Sequence, residues 1–265
     1  MKTYKEEITL NKNERGCYIL DTVKGCPGGS LNGGKGCYGD CYAKNIAYRY
    51  GFNFEKLITR KFEKDTRQLY LFDIADKKHR AKILREIEAA DLPFIRIGEM
   101  GDPSANWEHT VSVCKKISAA KKKIVIITKH WETIPDSLLK EVEKLNLCIN
   151  TSVSALDNEQ ELEHRLAQFD RLKNVCRSVL RIVSCDFNKD HADGLDKSII
   201  QSELFKMGPC IDTVFRPGKN NPFLTKGIIK AKKVKFLKAT VLASVYNAGA
   251  YMGGCKGCPD MCGVI

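Results

Sequence analysis

A chain of 265 residues that is 43% hydrophobic can bury a sizeable core, which excludes disorder. Its net charge of +12, from 44 Lys+Arg against 32 Asp+Glu, favours anionic partners such as nucleic acid, nucleotides or an acidic redox protein, without choosing among them. No apolar run approaches the roughly 20 residues of a membrane-spanning helix. The opening MKTYKEEITLNKNERG lacks the apolar centre of a secretory signal, so a soluble cytoplasmic protein is expected.

Hydrophobic periodicity alternates short apolar strands with amphipathic helices. The first strand is expected at 17–23 (CYILDTV), followed by a glycine-rich loop over 25–42 and helices over 40–50 and 64–90. Then come a strand at 93–98 (PFIRIG), a helix over 106–120 spaced through Trp107, Val111, Cys114 and Ile117, and a strand at 123–128 (KIVIIT). A helix starting near Pro135, with Asp136 in its first turn, leads to a strand at 147–154 (LCINTSVS). A helix over 158–172, a strand at 178–184 (SVLRIVS), a helix over 192–206 and a strand at 211–215 (IDTVF) complete the series.

Buried strands separated by helices imply an α/β fold with a parallel sheet and right-handed crossovers. About six such units suit a partial (β/α)6 TIM-like barrel over 1–215, with a C-terminal cysteine-rich extension over 216–265. In such folds chemistry gathers at the carboxyl ends of the strands. The glycine-rich loop, Gly98-Glu99-Met100-Gly101-Asp102, Thr128-Lys129-His130 and Ser152-Val153-Ser154 all fall on that rim.

Twelve cysteines in a chain able to build a core do not read as a disulfide scaffold; in a reducing compartment, grouped thiols point to metal or redox chemistry. Cys26, Cys37 and Cys41 lie in a loop with seven glycines between Gly25 and Gly39, which lets amide N–H groups turn inward around an anionic site. Soft thiolates select zinc or iron–sulfur. A structural zinc site wants four ligands, whereas three cysteines on a cubane leave one iron open. Cys17, Cys114, Cys148, Cys176, Cys185 and Cys210 are scattered among apolar neighbours and read as small buried hydrophobes.

A three-cysteine loop after the first strand, closing with Cys41-Tyr42-Ala43, resembles the radical S-adenosylmethionine (SAM) enzymes. It is most similar there to the phage-associated three-Cys-motif group. Arg96-Ile97-Gly98-Glu99-Met100, Ile127-Thr128-Lys129 and Ser152-Val153-Ser154 extend the resemblance along the chain. The spacing is C-x10-C-x3-C rather than the widespread C-x3-C-x2-C, with Lys44 at the remaining motif position, so Cys26 is expected to supply the third ligand. The resemblance implies a [4Fe-4S] cluster on Cys26, Cys37 and Cys41 that chelates SAM, cleaves it reductively and starts radical chemistry. It implies that Gly98 and Glu99 bind the methionine ammonium, that Ser152 and Ser154 hold the ribose, and that Tyr38 or Tyr42 lies near the adenine. Cys185, just past the strand at 178–184, is then a candidate hydrogen-atom donor or else a core thiol. A low-potential donor such as ferredoxin or flavodoxin suits the basic surface.

Cys255, Cys258 and Cys262 form C-x2-C-x3-C, a strong metal signal. A second, auxiliary iron–sulfur cluster is expected there, with zinc as the rival, and a fourth ligand must come from elsewhere. Lys226, Lys230, Lys232, Lys233, Lys235 and Lys238 crowd one segment that reads either as a solvated helix face or as a phosphate-binding surface. His130, after the third strand, is expected to cap the following helix rather than to bind substrate. His79, His109, His164 and His191 show no ligand spacing. The rival reading of the whole chain is a zinc-binding or iron–sulfur nucleic-acid-binding protein without SAM chemistry, its lysines contacting phosphates.

Overall fold

The computed structural model describes residues 1–62, 69–244 and 249–264, the side chains of 69–76 excepted. Its central sheet has seven strands in chain order: β1 (Asn11–Lys12), β2 (Tyr18–Ile19), β3 (Phe94–Ile97), β4 (Lys123–Thr128), β5 (Leu147–Val153), β6 (Arg177–Ser184) and β7 (Cys210–Val214). β1 is antiparallel to β2, and every later neighbour pairs in parallel. The crossovers carry α1 (Tyr42–Arg49), α2 (Leu69–Glu88), α3 (Trp107–Ile117), α4 (Asp136–Glu143), α5 (Glu159–Lys173) and α6 (Ala192–Leu204). Six parallel strands with helical crossovers and two separate edges make the fold α/β and mostly parallel, consistent with the partial barrel expected.

Strand alternation divides the core in two. Ile95, Ile97, Ile124, Ile126 and Ile149 face outward, against Trp107, Val111, Cys114 and Ile117 of α3. Ile19, Phe94, Val125, Cys148, Val179 and Ile211 face the opposite way and share an inner cluster. Helix starts are set by side chains that accept orphan amide protons. Asn106 accepts the His109 N–H ahead of α3, and Asn158 accepts the Glu161 N–H ahead of α5. The expected start of α2 at 64 lies outside the described residues.

Two expectations are corrected. The first strand is shorter than 17–23: Asp21 leaves the ladder to accept the N–H groups of Glu99 and Met100, and Val23–Lys24 pairs instead with Ile58–Thr59. The lysine-rich segment is not helical. Residues β8 (Ile229–Phe236) and β9 (Ala239–Ser244) form a hairpin, and β8 also pairs with Asp186–Phe187. Ile229 is buried and Ala231, Val234 and Phe236 are partly buried, while Lys230, Lys232, Lys233 and Lys235 are exposed, and Leu237 turns the chain at φ 50°. Its period is close to two, and the density of lysines concealed it.

No helix among the described residues is long and apolar enough to cross a membrane. Among the described residues Trp107 is the largest fully buried side chain, and its indole N–H donates to the Glu132 carbonyl at 2.9 Å. Trp107→Ala is therefore expected to cost about 3–5 kcal/mol. Chemical denaturation checks this, and an unchanged midpoint would contradict it.

Candidate functional site

The loop bearing Cys26, Cys37 and Cys41 is fastened to the carboxyl rim of the sheet. The Gly25 N–H donates to the Met100 carbonyl (2.9 Å), and the Cys26 N–H donates to that of Phe54 (3.1 Å). Asn32 gives its amide to the carbonyls of Gly36 and Cys37, both at 2.9 Å, and the Cys41 N–H closes onto Lys35. Two glycines are sterically required. A Cβ on Gly28 would stand 2.9 Å from the Cys37 sulfur and inside the Trp131 ring, and one on Gly36 (φ +86°) would overlap Cys41. The missing side chains are what lets the thiols approach the backbone.

Burial pushes the Cys26 and Cys37 thiols up, Cys37 to about 11, and Cys41 raises both further. Lys129 works against burial at Cys37. Buried thiols of this kind become thiolates when a cation replaces the proton, which fits the donor set to a soft metal group. No three Cys, His, Asp or Glu side chains among the described residues are placed to hold a single metal ion.

Beneath the loop lies a buried charge network that sequence reading missed. The Asp157 carboxylate accepts the Tyr38 hydroxyl (2.8 Å) and the Ser154 N–H (2.8 Å), and it pairs with Arg165 (2.6 Å) and Lys129 (3.2 Å). Burial alone would raise its pKa, but Lys129, Arg165 and the Tyr38 hydroxyl outweigh it and hold the carboxyl below the usual range. Asp102 plays a parallel part, accepting the Thr128 hydroxyl (2.6 Å) and the Lys129 N–H (2.8 Å). Asn221 pins the loop from the C-terminal side through the Tyr38 carbonyl (2.8 Å) and Asp40 (2.6 Å).

The expected SAM residues divide into groups. Gly98 has φ +97°, and a Cβ there would strike the Ile127 carbonyl, so the turn before Glu99 needs glycine. The Glu99 carboxylate is partly buried, held by Asn13 (2.9 Å) and Arg96 (3.1 Å). Its carbonyl accepts the hydroxyl of Tyr42, whose residue remains half exposed. Tyr38 is buried and bound to Asp157, edge-on to Phe215. Ser152 is buried on β5, whereas the Ser154 hydroxyl already donates to the Val183 carbonyl at 2.8 Å. Cys185 is buried in an apolar cluster with Tyr38, Phe187 and Phe215, against which Cys37 packs. His130 does not cap α4. Its ring bonds Thr151 (3.0 Å), and burial drives its pKa down to about 3, so it stays neutral.

The C-terminal thiols lie at the opposite end of the strands. Cys255 and Cys262 join the inner cluster beside Phe94, Cys148, Val179 and Ile211. Cys17, expected to be a small buried hydrophobe, is fully buried in this cluster beside Cys255, its thiol donating to the Tyr18 carbonyl at 3.7 Å. Cys17 pulls the Cys255 pKa down, and Arg15, Arg96 and Arg181 add to the effect. Cys255, Cys258 and Cys262 line a cavity with Arg15, Arg96, Arg181 and Arg216. No spacing motif links Cys17 to this group.

No family model and no curated protein matches the chain. Among solved structures its fold is similar to that of spore photoproduct lyase. A variant with bound AdoMet and dinucleoside spore photoproduct superposes at TM-score 0.52 and 11% identity, covering 90% of this chain and 72% of that one. A second, with dinucleoside spore photoproduct, gives TM-score 0.56 at 11% identity, covering 92% and 73%. The likeness is one of fold.

Asp157→Asn removes the charge from a buried pair and is expected to cost about 3–5 kcal/mol. Because the folded pKa is depressed, the stabilisation is present above the unfolded value of about 3.9 and is lost as pH falls through the folded value. Acid titration of stability should therefore be steeper below about pH 4 in the parent than in the variant. Superimposable profiles would contradict the network.

Proposed function

We propose that the chain is a radical SAM enzyme whose [4Fe-4S] cluster is held by Cys26, Cys37 and Cys41. The observation that carries the reading is the placement of three thiols, on one loop shaped by glycine, at the carboxyl rim of a mostly parallel sheet. The fold likeness to a lyase with bound AdoMet supports it. When bound, the cluster supplies the electron for reductive cleavage of the SAM sulfonium.

The chain's own residues bind and orient. The Glu99 carboxylate, steadied by Asn13 and Arg96, accepts hydrogen bonds from the methionine ammonium. Ser152 offers a hydroxyl to the ribose, and Tyr42 offers a half-exposed ring at the rim to the adenine. Tyr38 and Ser154 serve differently: their hydroxyls are engaged within the protein, so they position the cysteine loop and the end of β5. Cys185 stands in reserve as a thiol able to return a hydrogen atom to a substrate radical. Cys255, Cys258 and Cys262 form a second soft-metal site, an auxiliary iron–sulfur cluster or zinc. The basic surface suits an acidic low-potential donor such as ferredoxin or flavodoxin.

Replacing Cys26, Cys37 or Cys41 singly by alanine should reduce 5′-deoxyadenosine formation by the anaerobically reconstituted, reduced protein to background, while Cys176→Ala leaves it unchanged. Full activity in any of the three variants would contradict the assignment.

A further inference from the structure

We propose that the cavity between the central sheet and the C-terminal segment is an anion site that takes the phosphate or carboxylate group of a small-molecule substrate. Four arginines line it, Arg15, Arg96, Arg181 and Arg216. They come from separate stretches of the chain: Arg15 precedes β2, Arg96 lies on β3, Arg181 on β6, and Arg216 two residues beyond β7. Naming this as the substrate's place rests on the radical SAM reading and deepens it. The anion site itself does not depend on that reading.

Three of the four lack a counter-charge. Arg181 donates to the Asn150 side-chain carbonyl (2.9 and 3.1 Å) and to the Thr213 hydroxyl (3.0 Å), both neutral. Arg15 donates to the carbonyls of Gly253 (2.9 Å) and Tyr251 (3.1 Å), also neutral. Arg216 makes no hydrogen bond or ion pair among the described residues, and its guanidinium lies 4.3 Å from the centroid of the Phe236 ring. Arg96 does meet a carboxylate, Glu99 at 3.1 Å, yet its Nε–H is buried with no hydrogen-bond partner among the described residues. Arg15, Arg96 and Arg181 are half-buried, and Arg216 is exposed. Guanidiniums withdrawn from water are ordinarily paired, and a bound oxyanion supplies the partner these lack.

Charge and shape favour the same assignment. Asp212 and Asp260 also line the cavity, but neither pairs with any of the four guanidiniums, and four arginines against two aspartates leave the lining net positive. The planar fork of arginine matches phosphate and carboxylate oxygens in pairs. Cation–π contact with Phe236 engages the face of Arg216 and leaves its N–H edge to donate.

The position suits a substrate. Arg96 lines the cavity and also bonds the Glu99 carboxylate, while the Glu99 carbonyl accepts the Tyr42 hydroxyl. One guanidinium thus joins the cavity to the residues proposed to hold SAM. The lysines of β8 are the rival surface for an anion. Lys230, Lys232, Lys233 and Lys235 are exposed, and a charge pair in full solvent contributes little. The cavity arginines, partly withdrawn from water, gain more from the same oxyanion.

The test is isothermal titration calorimetry of the full chain, at constant ionic strength, with inorganic phosphate and separately with succinate; the tighter binder names the group. Arg216→Gln and Arg181→Gln should each weaken binding of that anion by about tenfold or more, while Lys233→Gln leaves it unchanged. Arg216 makes no hydrogen bond within the described fold, so its variant reads binding rather than folding. If neither anion binds better than chloride, or if Lys233→Gln weakens binding as much as Arg216→Gln, the site is overturned. The titration needs no cluster, so its failure leaves the SAM reading standing. A chain that binds the anion but forms no 5′-deoxyadenosine would overturn the substrate role and keep the anion site.

Discussion

The rim of this barrel depends on one buried carboxylate. Asp157 joins the end of β4 through Lys129, the body of α5 through Arg165, the end of β5 through the Ser154 amide and the cysteine loop through Tyr38. A charge so deeply buried is tolerable only with its partners in place. Four separately encoded segments therefore become one rigid support. The glycine-rich loop has little secondary structure of its own, and its thiols gain a fixed relation to Glu99 and Ser152 through that support. Positioning of this kind is what a protein contributes when a cofactor supplies the reaction.

The parallel sheet carries a thiol group at each end. At the carboxyl end, strands give way to loops carrying Glu99, Lys129 and Asp157. At the amino end, Cys17 before β2 and Cys148 early in β5 receive the last residues of the chain. Between them lies Arg96 on β3, which bonds Glu99 on one side and carries electrostatic coupling to Cys17 and Cys262 on the other. Arg181 spans the interior in the same way, bonding Asn150 (2.9 Å) and Thr213 (3.0 Å). Cationic side chains thus occupy the space between the two thiol groups, where anionic centres at either end would be stabilised by them.

Much of the architecture was legible in the sequence, for identifiable reasons. KIVIIT at 123–128 is apolar at nearly every position because parallel strands are covered on both faces, and its bounds coincide with β4. The helix over 158–172 shows its cap in Asn158. The hairpin of β8 and β9 was hidden because its alternating pattern carries two consecutive lysines, Lys232 and Lys233. At the site, the grouped cysteines were visible because their spacing is local. Asp157 was not, because it binds Tyr38 from 119 positions away. Cys17 was not, because its neighbours in sequence are ordinary strand residues and only the fold carries it to Cys255.

Electron paramagnetic resonance of the anaerobically prepared, reduced protein, recorded with and without SAM, tests the central assignment most directly. An open-iron cluster on Cys26, Cys37 and Cys41 requires a reduced-cluster signal whose shape changes when SAM is added. A cluster signal indifferent to SAM, or zinc in place of any cluster after reconstitution, would contradict it.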